Sequence, residues 1–427
     1  MYCRKRTIHG RIIIRDINVI KLNLTEAKNT HMTHLEDSVF LDGVNGTRQA
    51  IKYIQQMRDT LNGHSDRPMK TSVKWDGAPA IFVGPHPETG EFFVAKKSLF
   101  NKTPLFYSSL SEIDNSPDLP QSLKSKFKLA YTYLKPLGID RIIQGDFLYD
   151  ASEVYNEKMD GEDLIMFHPN TIAYAFPKTT PIGKKILKSK FGIVWHTTYS
   201  GKDIESLKAS FGVKMPRESN DVFQVDAMYS DVSGSASLTA RESKYLQKNL
   251  SMIGTAFRKT QPRAFDAFTK VPDLQRLVMT YANSFVRNNR NIKPQAAAVG
   301  FIHYVIEYYK KQESKLKTER GRQGVKAKSQ PVMRVLTQVP KAQLTQIFTI
   351  YVLLQQSKNL LVKKLNSRGF GKTFLKTNDG YLVTGQEGFV AIDHMSGNAV
   401  KFVDRLEFSL ANFDAKYLKG WQSNARR

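Results

Sequence analysis

The feature that most constrains the fold is a change of sequence pattern that occurs twice along the chain. Up to about residue 236 the sequence consists mainly of short apolar runs bounded by turn residues, which is typical of strands. Residues 237–365 instead carry apolar residues at helical spacing, and strand-like runs return after residue 366. We therefore expect an α+β fold: an antiparallel-sheet core in two parts (32–236 and 366–427), a helical insertion (237–365) and a basic N-terminal extension (1–31).

The charge balance indicates the class of partner. The chain has 427 residues with 64 Lys and Arg against 39 Asp and Glu, so its formal net charge is +25 and its pI is about 9.8. A surface of this charge attracts polyanions, and nucleic acid is the first candidate. An anionic membrane surface is the next candidate.

Cysteine usage and the N-terminus bear on the compartment. Cys3 is the only cysteine, which excludes an internal disulfide framework and cysteine-rich metal sites. The apolar run around Ile13 is too short for a signal sequence or a membrane span. We expect a cytoplasmic protein without a structural metal and without membrane insertion.

Lys74-Trp75-Asp76-Gly77 is the first candidate functional motif, because it closes a predicted strand with a lysine. A glycine beside a lysine and an acid lets the backbone turn sharply and a nucleotide approach closely, which suits attack by an amine on phosphorus. The alternative is a solvated surface turn. Which of the two interpretations applies depends on the other residues that lie close to this strand.

Other candidate residues lie on the neighbouring predicted strands. Asp146 sits inside an apolar strand and needs a cation, a metal ion or a hydrogen-bond donor as partner, so it is either functional or part of a salt bridge. Phe176 and Trp195 could stack a nucleotide base, or they could belong to the core. Lys96 and Lys97 follow a predicted hairpin and could line the nucleotide pocket or the nucleic-acid path.

The most cationic run in the chain lies within the helical segment, at residues 310–328. It reads either as a solvated linker or as an arm that contacts phosphates. As a candidate nucleic-acid interface it comprises Lys310, Lys311, Lys315, Lys317, Arg320, Arg322, Lys326 and Lys328.

Four of these segments, taken in order, resemble motifs I, III, IV and V of the covalent nucleotidyltransferases, the superfamily of ATP-dependent DNA ligases, RNA ligases and mRNA capping enzymes. They are Lys74-Trp75-Asp76-Gly77, Gly145-Asp146-Phe147, Glu387-Gly388-Phe389-Val390 and Lys401. The resemblance implies an antiparallel, ATP-grasp-like ligase core. Residues 33–199 also resemble a family of uncharacterised proteins of large tailed bacteriophages, which implies the cytoplasm of a bacterial host.

The resemblance further implies roles for the motif residues, with ATP and Mg²⁺ as cofactors. Lys74 would form the lysyl-AMP, while Asp76 would support the turn and Gly77 the approach of the nucleotide. Asp146 would contact the ribose or the metal, and Glu387 would orient the lysine or bind the metal. Lys401 would neutralise charge on the α-phosphate.

The expected function is ATP-dependent joining of polynucleotide ends. We expect RNA rather than DNA, because few residues follow Lys401 and leave little room for a further oligonucleotide-binding domain. The chain departs from the family pattern at Ala78-Pro79 and at Val403, where a second lysine is common. The alternatives are therefore a nucleic-acid-binding protein that kept the fold with little or no turnover, and an enzyme that transfers a nucleotide to a protein. Oligomeric state is open.

Overall fold

The computed structural model describes residues 32–65, 69–229, 238–366, 371–392 and 399–420. The N-terminal extension predicted for residues 1–31 lies outside these ranges. Within them, no helix has both the length and the apolar character needed to cross a membrane.

Strands occur on both sides of a long helical region. In chain order they are β1 (Lys70–Lys74), β2 (Ala80–Pro85), β3 (Phe92–Ala95), β4 (Ile142–Asp150), β5 (Tyr155–Met159), β6 (Glu162–Phe167), β7 (Ile172–Pro177), β8 (Phe191–Ser200), β9 (Lys208–Phe211), β10 (Val222–Asp226), β11 (Met228–Tyr229), β12 (Lys372–Thr377), β13 (Gly380–Val383), β14 (Gly388–Ile392) and β15 (Ala399–Phe402).

Helices fill most of the region between β11 and β12. The α-helices are α1 (Ser38–Leu41), α2 (Gly43–Leu61), α3 (Leu110–Asn115), α4 (Gln121–Leu134), α5 (Pro181–Lys188), α6 (Ala240–Lys259), α7 (Pro262–Thr269), α8 (Pro272–Arg287), α9 (Pro294–Ser314), α10 (Glu319–Gln338), α11 (Lys341–Asn366) and α12 (Leu410–Phe413). Together with mainly antiparallel strand pairing, this content confirms the α+β class.

The strands form three sheets. Sheet A has the order β11-β1-β14-β15, sheet B the order β10-β8-β4-β2-β3 with β9 paired to β8, and sheet C the order β13-β12-β7-β6-β5. The pairing is antiparallel except between β8 and β10. The β2–β3 hairpin predicted from two apolar runs is confirmed, with Phe82 opposite Ala95. Strands from before and after the helices share sheets A and C, since β14 pairs with β1 and β12 with β7.

The helical region packs onto the rest of the chain through one hydrophobic core. Phe40 of α1 lies 5.1 Å from the ring of Phe268 in α7 and 5.5 Å from that of Phe348 in α11. The same core includes Val73 and Phe389 from one face of sheet A. Lys74 follows Val73 on β1 and therefore points to the opposite face of sheet A.

Candidate active site

Strand pairing brings Lys74 to Glu387, although they are 313 positions apart in the sequence. In the antiparallel pair of β1 and β14, Lys74 lies opposite Gly388, the residue after Glu387. The ammonium group of Lys74 donates a hydrogen bond to Oε2 of Glu387 and forms an ion pair with it. Both side chains are largely covered, with 26% of Lys74 and 14% of Glu387 exposed. The first and third of the ordered motif partners therefore meet in space.

Burial and charge set the protonation of this pair. Burial favours a neutral lysine, but the charges of Glu387, Asp76 and Asp146 and the hydrogen bond to Glu387 together outweigh burial and raise the pKa of Lys74. Burial raises the pKa of Glu387 to about 7, against the opposing charge of Lys74. Glu387 is thus a carboxylate that can take up a proton close to neutral pH.

Lys401 shares the face of sheet A that carries Lys74. Val390 pairs with Ser72 on one side and with Lys401 on the other, and Ser72 precedes Lys74 by two residues. Residues paired across strands point to the same face, as do residues two apart on one strand. Burial, followed by the charge of Lys74, lowers the pKa of Lys401. Two lysines therefore lie on one face of sheet A, and the carboxylate of Glu387 is near enough to both to act on their pKa values.

Two glycines permit the close approach of the strands around Lys74. A side chain at Gly388, where φ is +151°, would place its Cβ 2.5 Å from the backbone oxygen of Phe402. At Gly77 a Cβ would lie 2.6 Å from Cβ of Asp146. Neither position has room for a side chain, so the motif glycines are required by packing whatever the site binds.

The segment after Lys74 is hydrogen-bonded to β4, the strand that carries Asp146. The backbone nitrogen of Ala78 donates to the oxygen of Phe147 at 2.8 Å, and that of Phe147 donates to the oxygen of Pro79 at 3.0 Å. The charge of Asp146 also contributes to raising the pKa of Lys74. Asp146 accordingly lies at the same site as the lysine.

Asp76 holds the turn in place. One of its carboxylate oxygens accepts hydrogen bonds from the backbone nitrogens of Thr171 at 2.6 Å and Ile172 at 2.9 Å, and the other accepts from Nδ2 of Asn170 at 2.9 Å. Its own backbone nitrogen donates to the hydroxyl of Tyr174 at 2.7 Å. Asp76 therefore fixes the turn that follows Lys74, which we call the lysine turn, against the start of β7.

Lys96 and Lys97 point to different surroundings. Lys96 donates from Nζ to the backbone oxygen of Asp118 at 2.9 Å. Lys97 is exposed, and its charge helps to lower the pKa of Lys401. Of the two, Lys97 is the one placed to add positive charge to the site.

Phe176 and Trp195 lie in the core and do not face the site. Trp195 is completely buried, and its indole nitrogen donates to Oε1 of Gln224 at 3.0 Å. Phe176 is 3% exposed and stacks on Phe167 with ring centroids 6.1 Å apart. Both rings therefore belong to the core, which is the second of the two alternatives that the sequence left open.

Sequence reasoning missed two polar residues of this site. His196 lies beside Asp146, with Nε2 of the histidine 3.6 Å from Oδ2 of the aspartate. It occupies an irregularity in β8, because Gly145 pairs with Trp195 while Gln144 pairs with Thr197. A histidine within an aromatic strand carries no sequence signal that separates such a bulge from regular pairing.

Lys419 was also missed. Its Nζ donates to Oγ1 of Thr171 at 2.6 Å and to the backbone oxygen of Ala411 at 3.3 Å. Burial lowers the pKa of Lys419, while the negative charges of Asp76 and Glu387 oppose that shift. The segment that follows sheet A thus returns to the lysine turn and adds a cation beside it.

A buried ionic network lies behind Lys401. Lys358 of α11 donates to both carboxylate oxygens of Glu36 at 2.8 Å, and neither side chain is exposed. Arg405 donates to Asp37 at 2.8 Å and to the hydroxyl of Tyr351 at 2.8 Å. The network ties the helical region to the segment that follows β15.

His34 connects that network to the site around Lys74, Glu387 and Lys401, which we call the lysine site. It forms an isolated parallel bridge with Lys401, whose backbone nitrogen donates to the oxygen of Thr33 at 3.0 Å. Burial, and then the charges of Arg405 and Lys358, lower the pKa of His34 well below its usual value. The imidazole is therefore neutral, and it adds no further positive charge beside the lysines.

The cationic run at residues 310–328 is mainly helical, forming the end of α9 and the first half of α10 with a short connection between them. The linker reading is therefore wrong for most of its length. Glutamates lie close to three of its cations. The ion pairs are Lys310–Glu307 at 2.9 Å, Lys326–Glu313 at 3.4 Å and Arg322–Glu319 at 3.8 Å. Local acids therefore offset part of its charge.

The carboxylates suit a nucleotide-bound magnesium ion better than a fixed metal site. The residues placed by the structure contain no cluster of three His, Cys, Asp or Glu side chains that could hold a metal. Magnesium on a triphosphate keeps several waters and needs only one or two carboxylates from the protein. Asp146 fits that requirement, whereas Glu387 is engaged by Lys74.

A family model described as a family of unknown function (DUF6267) matches residues 29–417 of the chain. No curated protein and no solved structure matches it. The match covers all the residues of the lysine site except Lys419.

Proposed function

We propose that this chain, which belongs to the family of unknown function DUF6267, is an ATP-dependent, polynucleotide ligase-like nucleotidyltransferase that carries AMP on Lys74. One observation carries the proposal: the ammonium of Lys74 donates a hydrogen bond to the carboxylate of Glu387, and Lys401 lies on the same face of sheet A. These residues come from distant parts of the sequence and meet through strand register.

Formation of the lysyl-AMP requires Lys74 to lose a proton. Its amine would attack the α-phosphorus of ATP, so that an N–P bond forms and the P–O bond to pyrophosphate breaks. Glu387 accepts a hydrogen bond from that amine and has a pKa of about 7, so it is placed to take the proton. Proton transfer and attack then involve the same pair.

Charge on the reacting phosphate would be offset by Lys401. A part-buried ammonium acts in a medium of low dielectric constant, where its interaction with developing negative charge is stronger than in water. Magnesium, when bound with the triphosphate, would neutralise the pyrophosphate leaving group, with Asp146 as its protein ligand. Asp76 would keep the lysine turn rigid through its three accepted hydrogen bonds.

The later steps use a polynucleotide, with RNA preferred to DNA. A terminal 5′-phosphate would take AMP from Lys74, breaking the N–P bond and forming a phosphoanhydride. A 3′-hydroxyl would then attack that phosphate and release AMP. The net charge of +25 supplies the attraction for such a substrate.

A second candidate function is nucleic-acid binding without turnover. The burial of Trp195 and Phe176 favours it, because neither ring is available to hold the base of a nucleotide. In that case the two lysines would bind a phosphate group without covalent chemistry.

Labelling with α-³²P-ATP and Mg²⁺ separates the two functions. We expect label that stays on the denatured wild-type chain and is absent from Lys74→Ala. Glu387→Gln and Lys401→Met should retain slower labelling, by about 10²–10³-fold for the loss of one stabilising group. Other nucleoside triphosphates are tested in parallel.

Lys158→Ala is the matched control, because Lys158 is an exposed lysine on β5 in sheet C. It should label like the wild type. Failure of every nucleotide and divalent ion to label the wild-type chain would leave the non-catalytic function as the better account.

A further inference from the structure

The cations of α6 lie on one face of the helix, in one group near each end. Its basic residues are all exposed, and we call them the α6 basic face: Arg241, Lys244, Lys248, Arg258 and Lys259. At 100° per residue these five positions fall within an arc of about 100°, and they extend about 27 Å along the helix. The cations therefore form one stripe and are not distributed around the helix.

Within the described part of the chain, no acid is paired with this stripe. Among the residues that the structure places, none of its five cations lies within ion-pair distance of an Asp or Glu. Glu242, the only acid of α6, points to another side of the helix and is paired with Lys364 at 2.8 Å. By contrast, three cations of the 310–328 run have a glutamate nearby. Among the described residues, the α6 basic face is therefore less neutralised by acids than the 310–328 run.

Two side chains beside the cations are unusually exposed for their type. Tyr245 is 42% exposed and Met252 is 44% exposed, and helical geometry places them two turns apart along one edge of the stripe. An exposed ring next to cations offers a surface on which an unpaired base can stack. A duplex would keep its bases covered, so this combination fits a single strand.

The rest of α6 argues against a membrane as the occupant. Its apolar side chains Leu246, Ile253 and Ala256 are buried in the protein core. A helix that binds a membrane surface needs its apolar face free for the lipid. The exposed side of α6 therefore fits a soluble polyanion.

The stripe begins beside the end of α2, the helix that precedes β1 in the chain. Strand β11, which ends shortly before α6, pairs with β1, setting Met228 opposite Ser72. In the first turn of α6, Oγ of Ser243 donates to Oδ1 of Asn62 at 3.1 Å, at the end of the helix that leads to β1. Near the other end, the exposed Arg48 of α2 lies over the ring of Phe257 at 5.8 Å, on a side of α6 outside the stripe.

We propose that the α6 basic face binds a single-stranded polynucleotide, with phosphates on its cations and a base on Tyr245. The identification of this strand as a substrate rests on the proposed function, whereas the binding itself does not. The interface is distinct from the 310–328 run.

The test compares two variants that lose the same charge. One is Lys244→Gln/Lys248→Gln/Arg258→Gln on the α6 basic face, and the other is Lys311→Gln/Lys315→Gln/Lys317→Gln, in which three exposed cations of the 310–328 run are changed. Binding of a short fluorescent single-stranded RNA is measured by anisotropy at several salt concentrations. Labelling by α-³²P-ATP is measured without RNA.

We expect the α6 variant to bind roughly tenfold more weakly, and the slope of log affinity against log salt to fall by about 2, since each lost phosphate contact on a single strand contributes about 0.7. The other variant should change both quantities less. Tyr245→Ala should weaken binding about tenfold with the slope unchanged, because stacking releases no counterions.

Three results would overturn the inference: no RNA binding by the wild type, equal losses in both triple variants, or α6-dependent binding to phosphatidylserine vesicles with RNA affinity intact. A wild type that binds RNA through α6 and does not label with any nucleotide would refute the proposed function alone. A circular dichroism spectrum and a urea midpoint equal to those of the wild type show that the α6 variant is folded, whether or not the chain labels.

Discussion

The buried ion pair between Lys358 and Glu36 gives the sharpest stability prediction. Lys358→Met keeps the length of the side chain and removes its charge, so packing around α11 is largely retained. The change leaves the carboxylate of Glu36 completely buried without the two hydrogen bonds at 2.8 Å that it now accepts from the ammonium. Arg405, at 3.7 Å, is the remaining cation near it.

The size of the effect follows from burial. Removing one partner of a buried ion pair costs about 3–5 kcal/mol, because the other charge stays out of water. Arg405 offsets part of that cost, so we expect the free energy of unfolding to fall by about 3 kcal/mol. In Glu36→Gln/Lys358→Met both charges are gone, and most of the loss should be recovered.

Urea denaturation, followed by circular dichroism and by tryptophan fluorescence, measures these differences where the two signals coincide. Lys310→Met is the matched control, because Lys310 forms a pair of similar length, 2.9 Å to Glu307, with both side chains about two-thirds exposed. Its effect should stay below about 1 kcal/mol. A Lys358→Met protein as stable as Lys310→Met, or a double variant no more stable than the single one, would refute this reasoning.

Three further outcomes are expected. The wild-type labelling rate should rise with pH through about 7 and then level off, because Glu387 must be ionised to accept the proton of Lys74; in Glu387→Gln this rise should be absent from the single-turnover rates. Trp195→Phe should lower the free energy of unfolding by about 1–3 kcal/mol in urea, since it strands a buried acceptor, while the KM for ATP stays unchanged. Gly388→Ala should lower the free energy of unfolding by more than about 1 kcal/mol in urea and should slow labelling. Gly324 lies inside α10 with open space around it, so Gly324→Ala should neither lower the free energy of unfolding nor slow labelling.

Local pattern was enough to predict many elements of this fold. The apolar runs on either side of residues 84–90 predict the β2–β3 hairpin, and the structure has it. Helical spacing after residue 237 predicts the helices that follow β11. Such features depend on neighbours within a few residues, which is the range over which side-chain periodicity acts.

Long-range pairing was only partly predictable. Motif order suggested that Lys74, Glu387 and Lys401 belong together, but no local property of β1 says that β14 is its partner. The buried pair of Glu36 and Lys358 shows the same limit, since each residue alone reads as a surface charge. Their burial results from the packing of α11 against the segment before α1.

The direction of side chains was also not predictable from the sequence. Trp195 and His196 are adjacent in one apolar strand, and sequence reasoning chose the tryptophan as a candidate contact. The irregularity in β8 lets the histidine reach Asp146 while the indole enters the core. Such an irregularity depends on the register with β4, which the sequence of β8 alone does not specify.

The most direct test of the central claim is to locate the nucleotide on the chain. The purified protein is incubated with ATP and Mg²⁺, digested, and analysed by tandem mass spectrometry under conditions that preserve phosphoramidates. We predict AMP on the side chain of Lys74, lost on brief exposure to acid, as expected for an N–P bond. AMP on another residue, or an acid-stable adduct on a hydroxyl group, would contradict the assignment of Lys74 as the nucleophile.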